Sequence, residues 1–167
     1  DVESVAKKFG VNFKVKDTLL STSFFSNNSF LEPPEKFSHI IGNPPYLNKQ
    51  SLYIKNNKNL LKKIYKEIGA NDSYAMFLYL CGEILNPKGQ LCFIISDTYL
   101  TLGIHKKLRK WILSNFTINE ITLCPDNLFS SIGASVHTSI ISIVNEKPSD
   151  DHLIKFNDCK ENIIGDY

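Results

Sequence analysis

The chain has 167 residues, of which 43% are hydrophobic, with 19 basic and 17 acidic side chains and a net charge of +2. That length suits about one domain, and the apolar content supports a buried core rather than disorder. No apolar run is long enough for a membrane-spanning helix, Asp1-Val2-Glu3 is not a secretion signal, and the charge is too small to mark a nucleic-acid binder. Cys81, Cys92, Cys124 and Cys159 are scattered without a C-x-x-C pair, which argues against a zinc site and for reduced thiols in the cytoplasm. Arg109 is the only arginine. Bidentate arginine is the commonest direct reader of guanine, so a dedicated sequence-reading module is not expected in this segment.

In chain order, Val2 to Phe9 carries Val2, Val5 and Phe9 on one helical face, and Gly10 ends it. Val11 to Val15 alternates as a strand, and Lys16 to Leu20 follows as a strand-end loop. Ser21 to Lys36 is rich in Ser, Asn and Pro and reads as loop. A short apolar strand is expected at Ser38 to Gly42, with His39 as a satisfied core residue. Leu47 to Asn59 is polar and reads as a mobile excursion, and Leu60 to Ile68 as a basic amphipathic helix closed by Gly69. Asn71 or Asp72 caps a helix with apolar residues on most of its surface, and Asn86-Pro87-Lys88-Gly89 stops it.

Gln90 to Ser96 is nearly continuous in apolar residues, as a central parallel strand would be. A helix is expected over Ile104 to Ser114, with His105, Lys106, Lys107, Arg109 and Lys110 towards solvent. Phe116 to Leu123 and Val136 to Val144 read as strands joined by a loop, hence as an antiparallel pair at one edge. The tail from Asn145 is polar and acidic. Alternating strands and helices predict an α/β fold, a mostly parallel sheet with an antiparallel edge strand and helices on both faces. Residues 1–145 form the expected domain, with 146–167 as a tail or the start of a following segment.

The stretch that organises the chain is His39-Ile40-Ile41-Gly42-Asn43-Pro44-Pro45-Tyr46. The prolines fix φ and remove two donors, so the strand must stop there. Asn43 and Tyr46 are therefore held at a strand's C-terminal end, where open α/β sheets bind ligands. Asn-Pro-Pro-Tyr after an apolar strand resembles the catalytic motif of class I S-adenosylmethionine-dependent amino-methyltransferases, above all the N6-adenine DNA methyltransferases of restriction-modification and phage-defence systems. Further segments resemble the same family. They are Asn71-Asp72-Ser73-Tyr74-Ala75-Met76-Phe77, where Ser73 stands in place of the usual Leu, Gly89 to Leu100, Leu108-Arg109-Lys110-Trp111, Asn127-Leu128-Phe129, and Val136 to Ile140.

The resemblance implies a partial Rossmann-like methyltransferase domain. It implies S-adenosylmethionine as cofactor, no metal, and methyl transfer to an adenine flipped out of double-stranded DNA. The adenine amine is a poor nucleophile, and acceptors for its two N–H bonds favour a more tetrahedral nitrogen. The Asn43 side-chain oxygen and the Pro44 carbonyl take that role, Pro45 stiffens the turn, and Tyr46 stacks on the base through its ring rather than its hydroxyl. Asp17, Thr18 and Asn43 are placed as cofactor contacts, with Asp17 alternatively a turn cap. Asp1 is placed as a ribose acceptor and Phe129 as a second base contact. A specificity domain or subunit and a nuclease are the implied partners.

No glycine-rich cofactor turn is visible and the chain lacks an initiating Met, so a longer protein is expected. Protein-glutamine or RNA guanine methylation, or a non-catalytic DNA-binding scaffold, are the alternatives. The lysines between Lys49 and Lys66 read as a solvated face that also lies within reach of DNA phosphates.

Overall fold

The computed structural model describes residues 7–8, 10, 17–20, 25–26, 29–30, 36–126, 128–129 and 136–159. The expected first strand and Asp1 lie outside these residues, as does most of the expected first helix. Two short strands, β1 (Phe25–Ser26) and β2 (Ser29–Phe30), pair antiparallel inside the stretch expected as loop. Strand β3 (Phe37–Gly42) pairs in parallel with the long strand β4 (Leu85–Ser96). Strand β5 (Thr117–Leu123) and strand β6 (Thr138–Val144) pair antiparallel, and β6 also runs antiparallel to β4. The sheet order is β3-β4-β6-β5-β7, where β7 (Lys155–Asp158) comes from the stretch expected as tail and pairs in parallel with β5. The one reversed strand, β6, is therefore internal. The Gln90–Ser96 run accounts for the interior place of β4, the neighbour of β6, whose side chains on both faces are largely apolar there.

Helix α1 (Leu52–Asn56) lies where a polar excursion was expected, and α2 (Lys58–Ile64) begins two residues before the helix expected from Leu60 and ends before Ile68. The Ser51 side chain accepts from the Ile54 N–H at 3.4 Å and caps α1, while Ile54 and Leu61 turn inward. Gly69, at φ +82, closes this region by donating to the Tyr65 carbonyl at 2.8 Å. Helix α3 (Ser73–Glu83) is buried along most of its length, as its apolar composition requires. A short helix α4 (Thr98–Thr101) and a single 3-10 turn (Gly103–His105) precede α5 (Lys106–Asn115).

Helices α3 and α5 meet at Gly82, where a Cβ would come within 2.5 Å of Trp111 Cη2. Their apolar sides join Leu91, Phe93, Ile95, Ile141 and Ile143 in one core. Cys92, Ile94 and Ile140 alternate onto the other side of the sheet and are only partly covered. Ile41, at the sheet edge, is 86% exposed. Among the described residues no helix is long and apolar enough to cross a membrane.

Candidate active site

β3 ends at Gly42, whose missing Cβ lets Phe93 approach: a methyl there would lie 3.1 Å from Phe93 Cε1. The chain then enters Asn43-Pro44-Pro45-Tyr46, with Pro44 buried, Asn43 and Pro45 exposed and Tyr46 half-buried. The last paired residue of β3 is Gly42, opposite Phe93. The next carbonyl along β4, that of Ile94, is therefore available to the turn. Tyr46 takes it: its hydroxyl lies 3.0 Å from the Ile94 carbonyl and 2.8 Å from Asn43 Oδ1, both acceptors. Burial pushes the Tyr46 phenol up to about 12, so it remains a donor at neutral pH. The hydroxyl, to which the stacking expectation gave no part, thus holds the Asn43 side chain. An amide oxygen has two lone pairs, so Asn43 Oδ1 keeps one acceptor site beyond Tyr46.

The turn is tied from its other side by Ser73, the residue that departs from the family pattern. The Leu47 N–H donates to Ser73 Oγ at 2.8 Å, and the Ser73 N–H donates to the Leu47 carbonyl at 2.8 Å. The Ser73 hydroxyl donates in turn to the Pro45 carbonyl. Both neighbours of Tyr46 are thus fixed to the first residue of α3, which is fully buried.

Beside Tyr46 opens a cleft of about 340 Å³, lined among others by Asp72, Tyr74, Ser96, Thr98 and Val136. That volume lies in the range of small-ligand sites. Tyr74 packs edge-on against Tyr46, with centroids 6.4 Å apart. Its hydroxyl lies 2.8 Å from Thr98 Oγ1 and 2.9 Å from His105 Nε2. His105 Nε2 is also 3.1 Å from Asp72 Oδ2, and Thr98 Oγ1 is 3.0 Å from Ser96 Oγ. A chain Asp72–His105–Tyr74–Thr98–Ser96, buried at His105, Tyr74 and Ser96 and half-buried at its other two members, therefore backs the aromatic wall. Burial, set against the Thr98 hydrogen bond that pulls the other way, holds the Tyr74 phenol well above its ordinary range. Asp72 begins α3 without capping it through its side chain, which is engaged by His105 instead.

His105 was expected towards solvent and is 1% exposed. The helix begins at Lys106 rather than Ile104, and the preceding 3-10 turn leaves Ile104 outside and His105 inside. Arg109 is corrected in the same way. Its guanidinium Nη1 donates to the carbonyls of Tyr99 at 2.7 Å and Leu102 at 2.8 Å, closing α4. The one arginine thus serves the fold. His39, expected in the core, is exposed and contacts Ser38 Oγ at 3.2 Å.

Asp17 does act as a turn cap, accepting from the Leu20 N–H at 3.2 Å. Its two carboxylate oxygens also accept from the Tyr53 hydroxyl, at 2.8 and 3.0 Å. Burial first, then that bond, raises the Tyr53 phenol above its ordinary range. The carboxylate is exposed and keeps acceptor capacity, which suits a cofactor contact. Thr18 beside it is half-buried. Phe129 is half-buried and is not among the residues lining the Tyr46 cleft, whereas Val136 is. No group of three His, Cys, Asp or Glu among the described residues is placed to hold a metal.

Comparison with known proteins gives the same context. The Eco57I restriction-modification methylase family matches residues 5–129. The Type II methyltransferase M.BstVI of Geobacillus stearothermophilus is 24% identical over 152 residues, covering 79% of this chain and 27% of M.BstVI. The chain spans from about a tenth to about a quarter of the length of the curated relatives it matches first. In fold, it superposes on the type I restriction-modification methyltransferase subunit of Streptococcus thermophilus with a TM-score of 0.65 at 20% identity, covering 97% of this chain and 34% of that one. A Listeria monocytogenes protein assigned to the class I S-adenosylmethionine-dependent methyltransferases superposes with a TM-score of 0.57 at 20% identity, over 76% of this chain and 38% of that one. The chain belongs to the Eco57I restriction-modification methylase family.

Proposed function

We propose that the protein carrying this chain is a DNA adenine N6-methyltransferase that takes its methyl group from S-adenosylmethionine and acts on a base flipped out of the duplex. The observation that supports this most is the Asn43–Tyr46 pair at the end of β3, opening on an aromatic-walled cleft. The bound cofactor supplies an already activated methyl group. The protein's task is then to orient the amine and leave its lone pair exposed. Asn43 Oδ1, held by the Tyr46 hydroxyl, accepts one amine N–H, and the Pro44 carbonyl accepts the other. S-adenosylmethionine, when bound, would supply the methyl group from its sulfonium and leave as the thioether, with the amine lone pair held towards it by Asn43 Oδ1 and the Pro44 carbonyl and the surplus amine proton released to solvent. Tyr46 offers its ring face to the flipped base, while Tyr74 holds that ring edge-on. Asp17 and Thr18 are the cofactor contacts within the described residues, and Asp1 and Phe129 are further candidates for the cofactor and the base. Double-stranded DNA is the substrate, with a specificity element and a nuclease as companions, as the family's restriction-modification name supports.

The test is nucleoside mass spectrometry of plasmid DNA from cells expressing the full protein. N6-methyladenine is expected with the wild type and none above background with Asn43→Ala. N4-methylcytosine in its place, or methylated glutamine in protein or methylated guanine in RNA with unmodified DNA, would overturn the assignment.

A further inference from the structure

The second cleft of the described structure differs from the first in its chemistry. It has a volume of about 420 Å³ and is lined by Lys49, Lys55, Lys58 and Lys62 together with Gln50 and Asn71, and by no acidic residue. All four lysines are exposed, and none lies in an ion pair among the described residues. Lys58 and Lys62 stand one turn apart on α2, and like charges at that spacing destabilise a helix. The buried Ile54 and Leu61 fix which sides of α1 and α2 face inward and leave the lysine ridge outward. In a chain of net charge only +2, this is a local concentration of positive charge with no ion-pair partner among the described residues. The other lysine-rich surface, on α5, differs: the shallow cleft lined by Lys107 and Lys110 also contains Glu67.

The lysine cleft adjoins the Tyr46 cleft, since Lys49, Gln50 and Asn71 line both. A polyanion lying along the lysines therefore leads to the aromatic wall. We infer that this cleft carries the phosphate backbone of the DNA strand flanking the flipped base, an inference that rests on the DNA-modifying function proposed above. Lysine is a point charge without arginine's planar fork, so it suits phosphate oxygens better than base edges. The cleft is thus a sequence-independent track, and the recognition of a target sequence lies elsewhere. Gln50 and Asn71, at the junction of the two clefts, are amides able to bond the sugar-phosphate next to the extruded nucleotide.

The experiment measures DNA affinity of the full protein as a function of salt. Three versions are compared: wild type, Lys55→Gln/Lys58→Gln/Lys62→Gln, and the control Lys106→Gln/Lys107→Gln/Lys110→Gln. Each phosphate contact contributes about 0.9 to the slope of log K against log salt. The cleft variant should lose roughly two to three from that slope and show its defect in KM for DNA, while the control keeps the wild-type slope. The triple Lys→Arg variant of the cleft should retain the slope, which separates charge loss from misfolding. An unchanged slope in the glutamine cleft variant, or an equal loss in the control, overturns the inference. So does loss of a companion protein from the cleft variant with DNA binding intact, which would assign the lysines to an acidic protein surface. The two proposals fail separately. Methylated adenine with an unchanged slope sinks only the cleft, and a cleft-dependent slope without methylated adenine sinks only the reaction.

Discussion

Tyr46→Phe separates the two jobs of this residue. The substitution keeps the ring and its edge-on contact with Tyr74, and removes the hydroxyl that reaches Asn43 Oδ1 at 2.8 Å and the Ile94 carbonyl at 3.0 Å. A phenol has one proton, so the two acceptors share it, and the loss amounts to about one net hydrogen bond. That is worth about 0.5–1.5 kcal/mol. Expressed in rate, it is a fall in kcat of about two- to tenfold if the bond holds Asn43 in its working orientation. KM for DNA should barely move, since the stacking surface remains. Tyr46→Ala loses the same bond and the stack as well, about 1–3 kcal/mol more, and that part should appear in DNA binding. Single-turnover transfer of labelled methyl from S-adenosylmethionine gives the rate. A double-mutant cycle on denaturant stability with Asn43→Ala measures the coupling directly, because Tyr46→Phe should cost less once Asn43 is gone. Wild-type kcat for Tyr46→Phe together with zero coupling would refute the positioning role of the hydroxyl.

Further consequences concern the frame around that pair. Ser73→Ala strips one acceptor from the Leu47 N–H and one donor from the Pro45 carbonyl, and should lower stability by about 1–3 kcal/mol in urea unfolding. His105→Phe keeps a ring beside Tyr74 and leaves the Asp72 carboxylate without its partner, and should cost about 1–3 kcal/mol by the same measurement. Gly82→Ala drives a methyl into Trp111 and Phe116, 2.5 and 2.9 Å away, and should lower Tm in calorimetry by an amount equivalent to about 1–3 kcal/mol of overpacking. Tyr46, Tyr53, Tyr65, Tyr74, Tyr79 and Tyr99 are all raised above the ordinary phenol value of 10.0, chiefly by burial. Their folded-state values exceed the unfolded ones, so this contribution to stability is complete below pH 10.0 and is lost as pH rises through the folded values, about 12 for Tyr46 and Tyr99. Ultraviolet titration should therefore show phenolate forming later in the native than in the denatured chain, and coincident curves would contradict the burial.

What was legible in the sequence was local. Proline chemistry forces β3 to end where it does, and an apolar run without alternation forces β4 inside the sheet, so the place of Asn43 and Tyr46 could be read from eight consecutive residues. Helix α1 was hidden because its side-chain cap is one serine hydroxyl and its one buried side chain is Ile54, which leaves a polar stretch that periodicity reads as loop, whereas the apolar spacing of α2 was legible. Strand β7 was hidden because an edge strand, exposed on most of its residues, carries no apolar pattern. The contacts that hold the site were not legible because they join residues 26 to 48 apart in sequence: Ser73 with Leu47, Tyr74 with His105, and Tyr46 with Ile94. The departure at position 73 shows the limit of pattern and what lies beyond it. A leucine could fill the volume but could bond neither the Pro45 carbonyl nor the Leu47 N–H. The serine secures both flanks of Tyr46 from one buried atom, and in doing so ties the start of α3 to the Asn-Pro-Pro-Tyr turn. Asp72, the residue before it, is held by His105, which also holds Tyr74. One end of one helix therefore fixes both the turn that presents Asn43 and the aromatic wall against which Tyr46 stands. The two halves of the site are mechanically a single unit, and a loss on either side should be felt at Asn43.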